Sequence, residues 1–280
     1  MIQLQKGKCI KAPGIFDGVS AKVADQMGFS ALYMSGYSVS ASLLGKPDAG
    51  YLTVTHMGDR VRTICGVTQT PIIVDADTGF GGLVNVQETV RIYEAGGAAA
   101  IQLEDQQFPK RCGHTKNRTV IDIKEATAKI KMAVQSRTNK DFLIIARTDA
   151  RTSLGLDEAL RRGESFLKAG ADVLFIESPE SVEELEIIGQ TFRDTWLLAN
   201  MVGEGKTPLL TTEELAALGF NIAIHPVAAL MAAAATYKNI YQQLENWEEH
   251  TNQLVPFAEF NQLIGFEEIW KLDERLSRKD

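Results

Sequence analysis

Cysteine is scarce in this chain: Cys9, Cys65 and Cys112 are the only three in 280 residues. An odd number so widely spaced does not resemble a disulfide framework and points to a reducing compartment. Positive charge is also short. Lysine and arginine number 29 against 36 acidic residues, for a net charge of -7, which argues against a general nucleic-acid binder with a basic face. A small anion remains a possible ligand, because it needs only local positive charge. No apolar run approaches the length of a membrane span. No low-complexity tract occurs, and the opening residues Met1-Ile2-Gln3-Leu4-Gln5-Lys6 are too polar for a secretory core. The expectation is a soluble cytoplasmic protein. What is present is ordinary enzyme composition, 45% hydrophobic and 23% charged.

A weak internal repeat sets the architecture. Four times a helical pattern meets a glycine stop and passes at once into an apolar run: at Gly28, Gly96-Gly97, Gly170 and Gly219. Glycine after a helix supplies the left-handed conformation that ends it. The runs that follow are short and partly β-branched, as in strands buried on both faces of a parallel sheet. Eight such runs are predicted, at residues 9–13, 31–35, 71–77, 98–104, 142–148, 173–177, 196–200 and 221–225. Eight alternating βα units in this length fit a (β/α)8 TIM barrel, whose active site lies at the C-terminal strand ends. An open doubly wound sheet competes, but the count disfavours it and no Gly-x-Gly-x-x-Gly turn follows the first strand. Residues 230–244 read as the eighth barrel helix. Residues 257–276 place Phe260, Leu263, Ile264, Ile269, Trp270 and Leu272 near helical spacing. So much apolar surface beyond a complete barrel calls for a partner subunit, or for packing on its own barrel.

The residues closing the predicted strands, which a barrel would gather at one mouth, include Ser35 and Gly36, Asp75 and Asp77, Glu104 and Asp105, Arg147 and Asp149, Glu177, Asn200 and His225. Asp75 and Asp77, two apart, point to the same side of an extended strand. With Glu104 they make three carboxylates that cannot all stay ionised without a cation. All-oxygen donors suit Mg2+ or Mn2+. Each acid alone is as well explained by a helix cap or a loop salt bridge. Arg147 suits a carboxylate or phosphate because its fork binds such groups bidentately; an ion pair with a neighbouring acid is the alternative. Tyr33 could face the site or fill the core, and His225 could be a catalyst or a satisfied barrel histidine. Cys112, flanked by Lys110, Arg111 and His114, should ionise more readily than a free thiol, because positive charge stabilises the thiolate. Gly203-Glu204-Gly205-Lys206-Thr207 is not a phosphate loop, since Asn200 stands where its first glycine would be.

Seven segments carry a family resemblance: Ser35-Gly36-Tyr37, Lys46-Pro47-Asp48, Val74-Asp75-Ala76-Asp77-Thr78-Gly79-Phe80-Gly81, Leu103-Glu104-Asp105-Gln106, Lys110-Arg111-Cys112-Gly113-His114, Ala146-Arg147-Thr148-Asp149-Ala150 and Asn200-Met201-Val202. Over nearly its whole length the chain resembles the isocitrate lyase/phosphoenolpyruvate mutase superfamily, and within it the methylisocitrate lyase, 2,3-dimethylmalate lyase and petal-death-protein group. The resemblance implies a barrel catalytic domain over residues 1–245. It implies a helical extension over residues 246–280 exchanged between neighbours in a homotetramer. It also implies Mg2+ (or Mn2+) near Asp75, Asp77 and Glu104, partly through water, with Asp48 close by. Ser35, Gly36, Tyr37 and Arg147 would contact the oxo-acid end of the substrate, with Glu177 and Asn200 as further substrate contacts. Cys112 would ride on a mobile loop as general acid, and Gly113 and His114 would bind a carboxylate. Tyr33 is a candidate base. The implied reaction cleaves the C2–C3 bond of a 2-hydroxy di- or tricarboxylate, giving a 2-oxo acid such as pyruvate plus a carboxylate.

Two departures bear on the subclass. Methylisocitrate lyases carry an arginine early in the helix after strand eight, where it holds a third carboxylate; here that position is Met231. Without that charge a buried third carboxylate is costly, so a dicarboxylate substrate is expected. Gly203-Glu204-Gly205 shifts the Glu-Gly-Gly order of the family and puts the role of Glu204 in doubt. The rival readings are a phosphonate-forming mutase, whose loop carries Lys and Asn-Ser in place of Arg111-Cys112-Gly113-His114, an oxaloacetate hydrolase sharing barrel, metal and cysteine loop, and a non-catalytic carboxylate binder.

Overall fold

The computed structural model describes residues 1–113, 118–203, 205–246 and 254–277. The chain divides into two compact units, Met1–Leu230 and Met231–Asp280. The first is a closed barrel of eight parallel strands in sequence order: β1 (Ile10–Ile15), β2 (Leu32–Met34), β3 (Ile72–Asp75), β4 (Ala100–Glu104), β5 (Leu143–Thr148), β6 (Val173–Ile176), β7 (Trp196–Asn200) and β8 (Ile222–His225). All eight predicted strands are found, so the fold is the (β/α)8 TIM barrel expected. Helices α1 (Gly18–Asp25), α2 (Gly36–Val39), α3 (Val54–Cys65), α4 (Leu83–Ala95), α5 (Ile123–Ser136), α6 (Ala150–Leu154), α7 (Leu156–Lys168), α8 (Val182–Thr191) and α9 (Thr212–Ala217) connect them, and α10 (Ala228–Glu245) follows β8.

Local chemistry starts these helices. Asp17, Thr53, Ser181 and Thr211 each present a side-chain oxygen to a backbone N–H of the first turn. At Thr211 the Glu214 carboxylate reaches back to the Thr211 N–H and completes a capping box. The glycine stops at Gly28, Gly97, Gly170 and Gly219 all adopt positive φ, as predicted.

Alternation along the strands decides what faces inward. Ala12, Tyr33, Ile73, Ala100, Ile145, Phe175, Leu198 and Ile224 form one buried cluster inside the barrel. The opposite parity, including Leu32, Val74, Ile101, Ile144, Leu174 and Leu197, joins the larger cluster beneath the helices. The interior parity continues to Ser35, Asp75, Glu104, Arg147, Glu177 and Asn200, each two residues beyond an inward-facing one. His225 follows the inward Ile224, so its side chain takes the opposite face of β8. Filling the interior with residues such as Phe175 contributes roughly 1.5–3 kcal/mol per fully buried side chain.

In the second unit, α11 (Phe257–Ile264) and α12 (Phe266–Ser277) stand where the sequence predicts one helix. Gly265, at φ 97°, ends the first by donating its N–H to the Asn261 and Gln262 carbonyls. Apolar spacing on both sides of a left-handed glycine reads as continuous even though the backbone is broken. Phe257, Ile269, Trp270 and Leu276 are exposed, and neither helix contains a buried residue. No helix among the described residues is long and apolar enough to cross a membrane.

Candidate active site

Ser35 opens α2 by accepting from the Ser38 N–H, which places the Gly36 N–H over β3. That N–H donates to Asp75 Oδ2 at 3.1 Å. A Cβ at Gly36 would stand 2.9 Å from the same oxygen, so only glycine permits the approach. Tyr37 is half-buried on α2. The other Asp75 oxygen accepts from the Asp77 N–H at 3.1 Å and from Gln102 Nε2 at 3.3 Å. Gln102 Oε1 in turn accepts from the Tyr33 hydroxyl at 2.7 Å. Burial, then the Asp75 charge, pushes the Tyr33 phenol well above its ordinary range. In that setting the phenol keeps its proton and serves as a hydrogen-bond donor.

Strand alternation does not bring Asp77 inward, contrary to the sequence expectation. β3 ends at Asp75, and Asp77 turns inward through a left-handed backbone at φ 47°. Asp75, Asp77, Glu104 and Asp48 are all buried. Lys110 stands among them, its Nζ 2.8 Å from both Asp48 oxygens and 2.6 Å from Asp77 Oδ1. Burial pushes Asp77 up to about 7 against the pull of Lys110, with Asp75 and Asp48 adding to the rise. It pushes Glu104 well above the carboxylate range as well, although Lys110 and Arg147 oppose it. Burial would depress the Lys110 ammonium, but the surrounding carboxylates outweigh that and hold it charged.

Neither Glu104 oxygen accepts a hydrogen bond from the described residues; its nearest cation is Arg147 Nε at 3.5 Å. A buried carboxylate without donors is costly. Among the described residues, no three acid, histidine or cysteine side chains converge closely enough to ligate one ion together. The donor-free Glu104 oxygens beside buried Asp75 and Asp77 are hard oxygen donors of the kind that suits Mg2+, which keeps several waters.

Arg147, from β5, stacks its guanidinium 5.2 Å from the Phe175 ring centre. Its fork is already engaged: Nε and Nη2 reach the Asp149 carboxylate at 2.8 and 2.9 Å. Arg118 clasps Asp149 as well and donates to Thr152 at 2.6 Å. Burial alone would raise Asp149, but Arg147 and then Arg118 hold it low. Asp149 is in turn seated by its N–H on Asp105, which also accepts from Thr148 and from Arg162 on α7. Arg147 Nη2 lies 3.5 Å from Glu177 Oε2, and Asn200 Nδ2 donates to that same oxygen at 3.2 Å.

The segment Lys110 to Gly113 folds across this mouth. Gln106 brackets it, accepting from the Arg111 N–H and donating to the Arg111 carbonyl. The Cys112 N–H donates to the Asp48 carbonyl at 3.2 Å. Ser178, at φ 60°, donates to the Gly113 carbonyl at 3.2 Å. Gly113 sits so close that a Cβ there would stand 2.6 Å from Arg147 Nη2 and 3.0 Å from Glu177 Cδ. His114 and Glu204 lie outside the described residues.

The structure thus brings Ser35, Gly36, Asp48, Asp75, Asp77, Glu104, Cys112, Gly113, Arg147, Glu177 and Asn200 to one end of the barrel. Sequence reasoning put Lys110 beside Cys112 and Asp149 with Arg147 at the mouth, but it missed Gln102, the bracing role of Gln106 and the pairing of Lys110 with Asp48 and Asp77. The Asp149 pairing had a signal, since Arg-x-Asp at a strand end places both groups on one side. Lys110 had none, because its partners come from distant segments.

Fold and site together define a (β/α)8-barrel enzyme with a carboxylate-rich mouth. Residues 1–245 match the phosphoenolpyruvate phosphomutase family, and the chain belongs to it and to the wider phosphoenolpyruvate mutase/isocitrate lyase superfamily. The chain is 48% identical to 2,3-dimethylmalate lyase of Eubacterium barkeri, over 96% of this chain and 94% of that protein. It is 38% identical to 2-methylisocitrate lyase of Aeropyrum pernix, over 99% and 89%. A solved oxaloacetate acetylhydrolase bound to 3,3-difluorooxalacetate matches with TM-score 0.91 and 35% identity, over 98% of this chain and 94% of that one. Phosphonopyruvate hydrolase solved with oxalate and Mg2+ matches with TM-score 0.84 and 31% identity, over 96% and 94%.

Proposed function

We propose that this chain is a Mg2+-dependent carbon–carbon lyase that cleaves a 2-hydroxy dicarboxylate resembling 2,3-dimethylmalate into a 2-oxo acid and a carboxylate. The observation that carries the reading is the Lys110–Gly113 segment, which lays a cysteine-bearing loop over Arg147 and Glu177 beside the four buried acids. The 48% identity to a 2,3-dimethylmalate lyase and Met231 in place of an arginine both support a dicarboxylate over a tricarboxylate.

Asp75, Asp77, Glu104 and Asp48 would hold the cation, mainly through water. When bound, Mg2+ supplies positive charge that polarises the hydroxy-acid end of the substrate. Ser35, Gly36 and Tyr37 bind that end. Arg147, fixed by Asp149, keeps its charge facing the mouth, and Glu177 and Asn200 shape the floor. A base takes the C2 hydroxyl proton, the C2–C3 bond breaks, and its electron pair passes to C3 as C2 becomes a carbonyl. The Cys112 thiol gives its proton to C3. Tyr33 is the base suggested by the resemblance, but its buried, hydrogen-bonded phenol fits better as a brace for Gln102 and Asp75. Gly113 and His114 would bind the second carboxylate.

The exposed apolar faces of α11 and α12 support assembly with further copies of the chain, with the helices exchanged as in the family. A cytoplasmic location agrees with the free cysteines. Hydrolysis of oxaloacetate is the second reading, favoured by the match to oxaloacetate acetylhydrolase. The test is Cys112→Ser: turnover of 2,3-dimethylmalate is lost while Mn2+ binding stays at the wild-type level. Turnover that survives the substitution would remove Cys112 from the mechanism.

A further inference from the structure

We propose that Lys129, on α5 and outside the mouth, is a positioning residue that holds the Asp75–Asp77 turn in its cation-binding shape through the Thr78 carbonyl. The inference rests on the reading of Asp75, Asp77 and Glu104 as the cation site.

The turn after β3 is improbable on its own. Asp77, Gly79 and Phe80 take φ values of 47°, 82° and 57°, and two of the three are not glycine. Side chains sparsely tolerate this region, so surrounding contacts must fix it. Backbone bonds supply part of them, with the Glu104 N–H donating to the Asp77 carbonyl and the Gly79 N–H to the Ala76 carbonyl, both at 2.9 Å; side chains behind the turn supply the rest. Lys129 Nζ donates to the Thr78 carbonyl at 3.2 Å, and the Tyr93 hydroxyl, from α4, donates to the Asp75 carbonyl at 3.3 Å. Lys129 therefore grips the carbonyl that follows the left-handed Asp77. If that peptide turned over, ψ of Thr78 and φ of Gly79 would change, and the turn that carries the Asp77 carboxylate toward Asp75 and Lys110 would lose its shape.

Packing alone does not account for a lysine here. Lys129 shares the buried face of α5 with Ala126, Ile130 and Ala133, and its relative exposure is 8%. Among the described residues it forms no ion pair, and Thr78 is its hydrogen-bond acceptor. Burial holds Lys129 below its ordinary value and outweighs the Glu125 charge one turn earlier, which favours the ammonium; a methionine would fill the same space without that cost. Lys129 and Glu104 also line one small cavity of about 10 Å³ together with Thr78, Asp105 and Arg147. Its charge thus lies directly behind the carboxylate cluster.

The sign of one measurement separates positioning from charge. A cation behind a metal site repels the metal, so losing Lys129 for electrostatic reasons alone would tighten metal binding. Losing a brace would loosen it. Mn2+ is titrated into wild type and Lys129→Met, with free Mn2+ read by electron paramagnetic resonance and folding followed by thermal unfolding. The expected result is at least fivefold weaker Mn2+ binding in Lys129→Met, with a cooperative unfolding transition retained. Binding as tight as wild type, or tighter, overturns the role. If Lys129→Met does not unfold cooperatively, Lys129→Gln is judged by the same criterion. A wild-type protein that binds no Mn2+ would overturn the cation-site reading itself, and this inference with it.

Discussion

Lys110 bridges Asp48 and Asp77, its ammonium within 2.8 Å of both Asp48 oxygens and 2.6 Å from Asp77 Oδ1. The loop that carries Cys112 is therefore tied at its base to the acids proposed to hold the cation. Loop position and charge balance at the mouth depend on the same side chain.

Replacing Lys110 with methionine leaves buried carboxylates without their nearest cation. Removing one partner of a buried ion pair costs about 3–5 kcal/mol. A fall of that order in the unfolding free energy from urea titration, seen as a lower midpoint, is expected, with partial recovery when Mg2+ is added. An unchanged midpoint would mean the Lys110 pairs contribute nothing to stability.

Gly113 admits no side chain, since a Cβ there meets Arg147 Nη2 at 2.6 Å. Gly113→Ala should keep the loop from seating while sparing the barrel. Misplacement of a reacting group by an ångström costs about a hundredfold in rate, so a fall of that size in kcat is expected. Thermal unfolding should stay near wild type. Wild-type kcat in Gly113→Ala would show that seating is irrelevant to turnover.

The three thiols should differ in reactivity. Burial, helped by Glu213, pushes Cys9 up to about 12, and burial pushes Cys65 up to about 11. Both remain thiols near neutral pH and react slowly, since the thiolate is the nucleophile. Brief iodoacetamide treatment, mapped by mass spectrometry, should label Cys112 first and abolish activity. Labelling of Cys9 or Cys65 ahead of Cys112 would contradict this ordering.

His225 carries a stability dependence on pH. Burial, and then the Lys11 charge, hold its imidazole below the ordinary value. As pH falls below about 6.5, the unfolded chain takes up a proton that the folded one resists. The contribution is present above that pH and is lost as pH drops toward the depressed folded value. Urea midpoints compared above and below this window should fall less for His225→Gln than for wild type. Equal falls would remove His225 as a source.

Much of the fold could be read from the sequence, because a barrel strand buried on both faces leaves a short apolar run and its helix leaves a glycine stop. The acids at the mouth were legible for the same reason, as polar residues closing apolar runs. What stayed hidden depended on geometry across segments. Asp77 reaches inward by a left-handed turn, Arg147 has its fork taken by Asp149, and Lys110 finds Asp48 from more than sixty positions away. The break at Gly265 was hidden because apolar spacing continues through it.

The central claim is cleavage of a dicarboxylate between C2 and C3. Proton NMR of the purified protein with Mg2+ and, in separate samples, 2,3-dimethylmalate, 2-methylisocitrate and oxaloacetate tests it most directly. The expected result is pyruvate and propionate from 2,3-dimethylmalate, with 2-methylisocitrate untouched. Oxalate and acetate from oxaloacetate, with 2,3-dimethylmalate intact, would contradict the lyase and place the protein with the hydrolases.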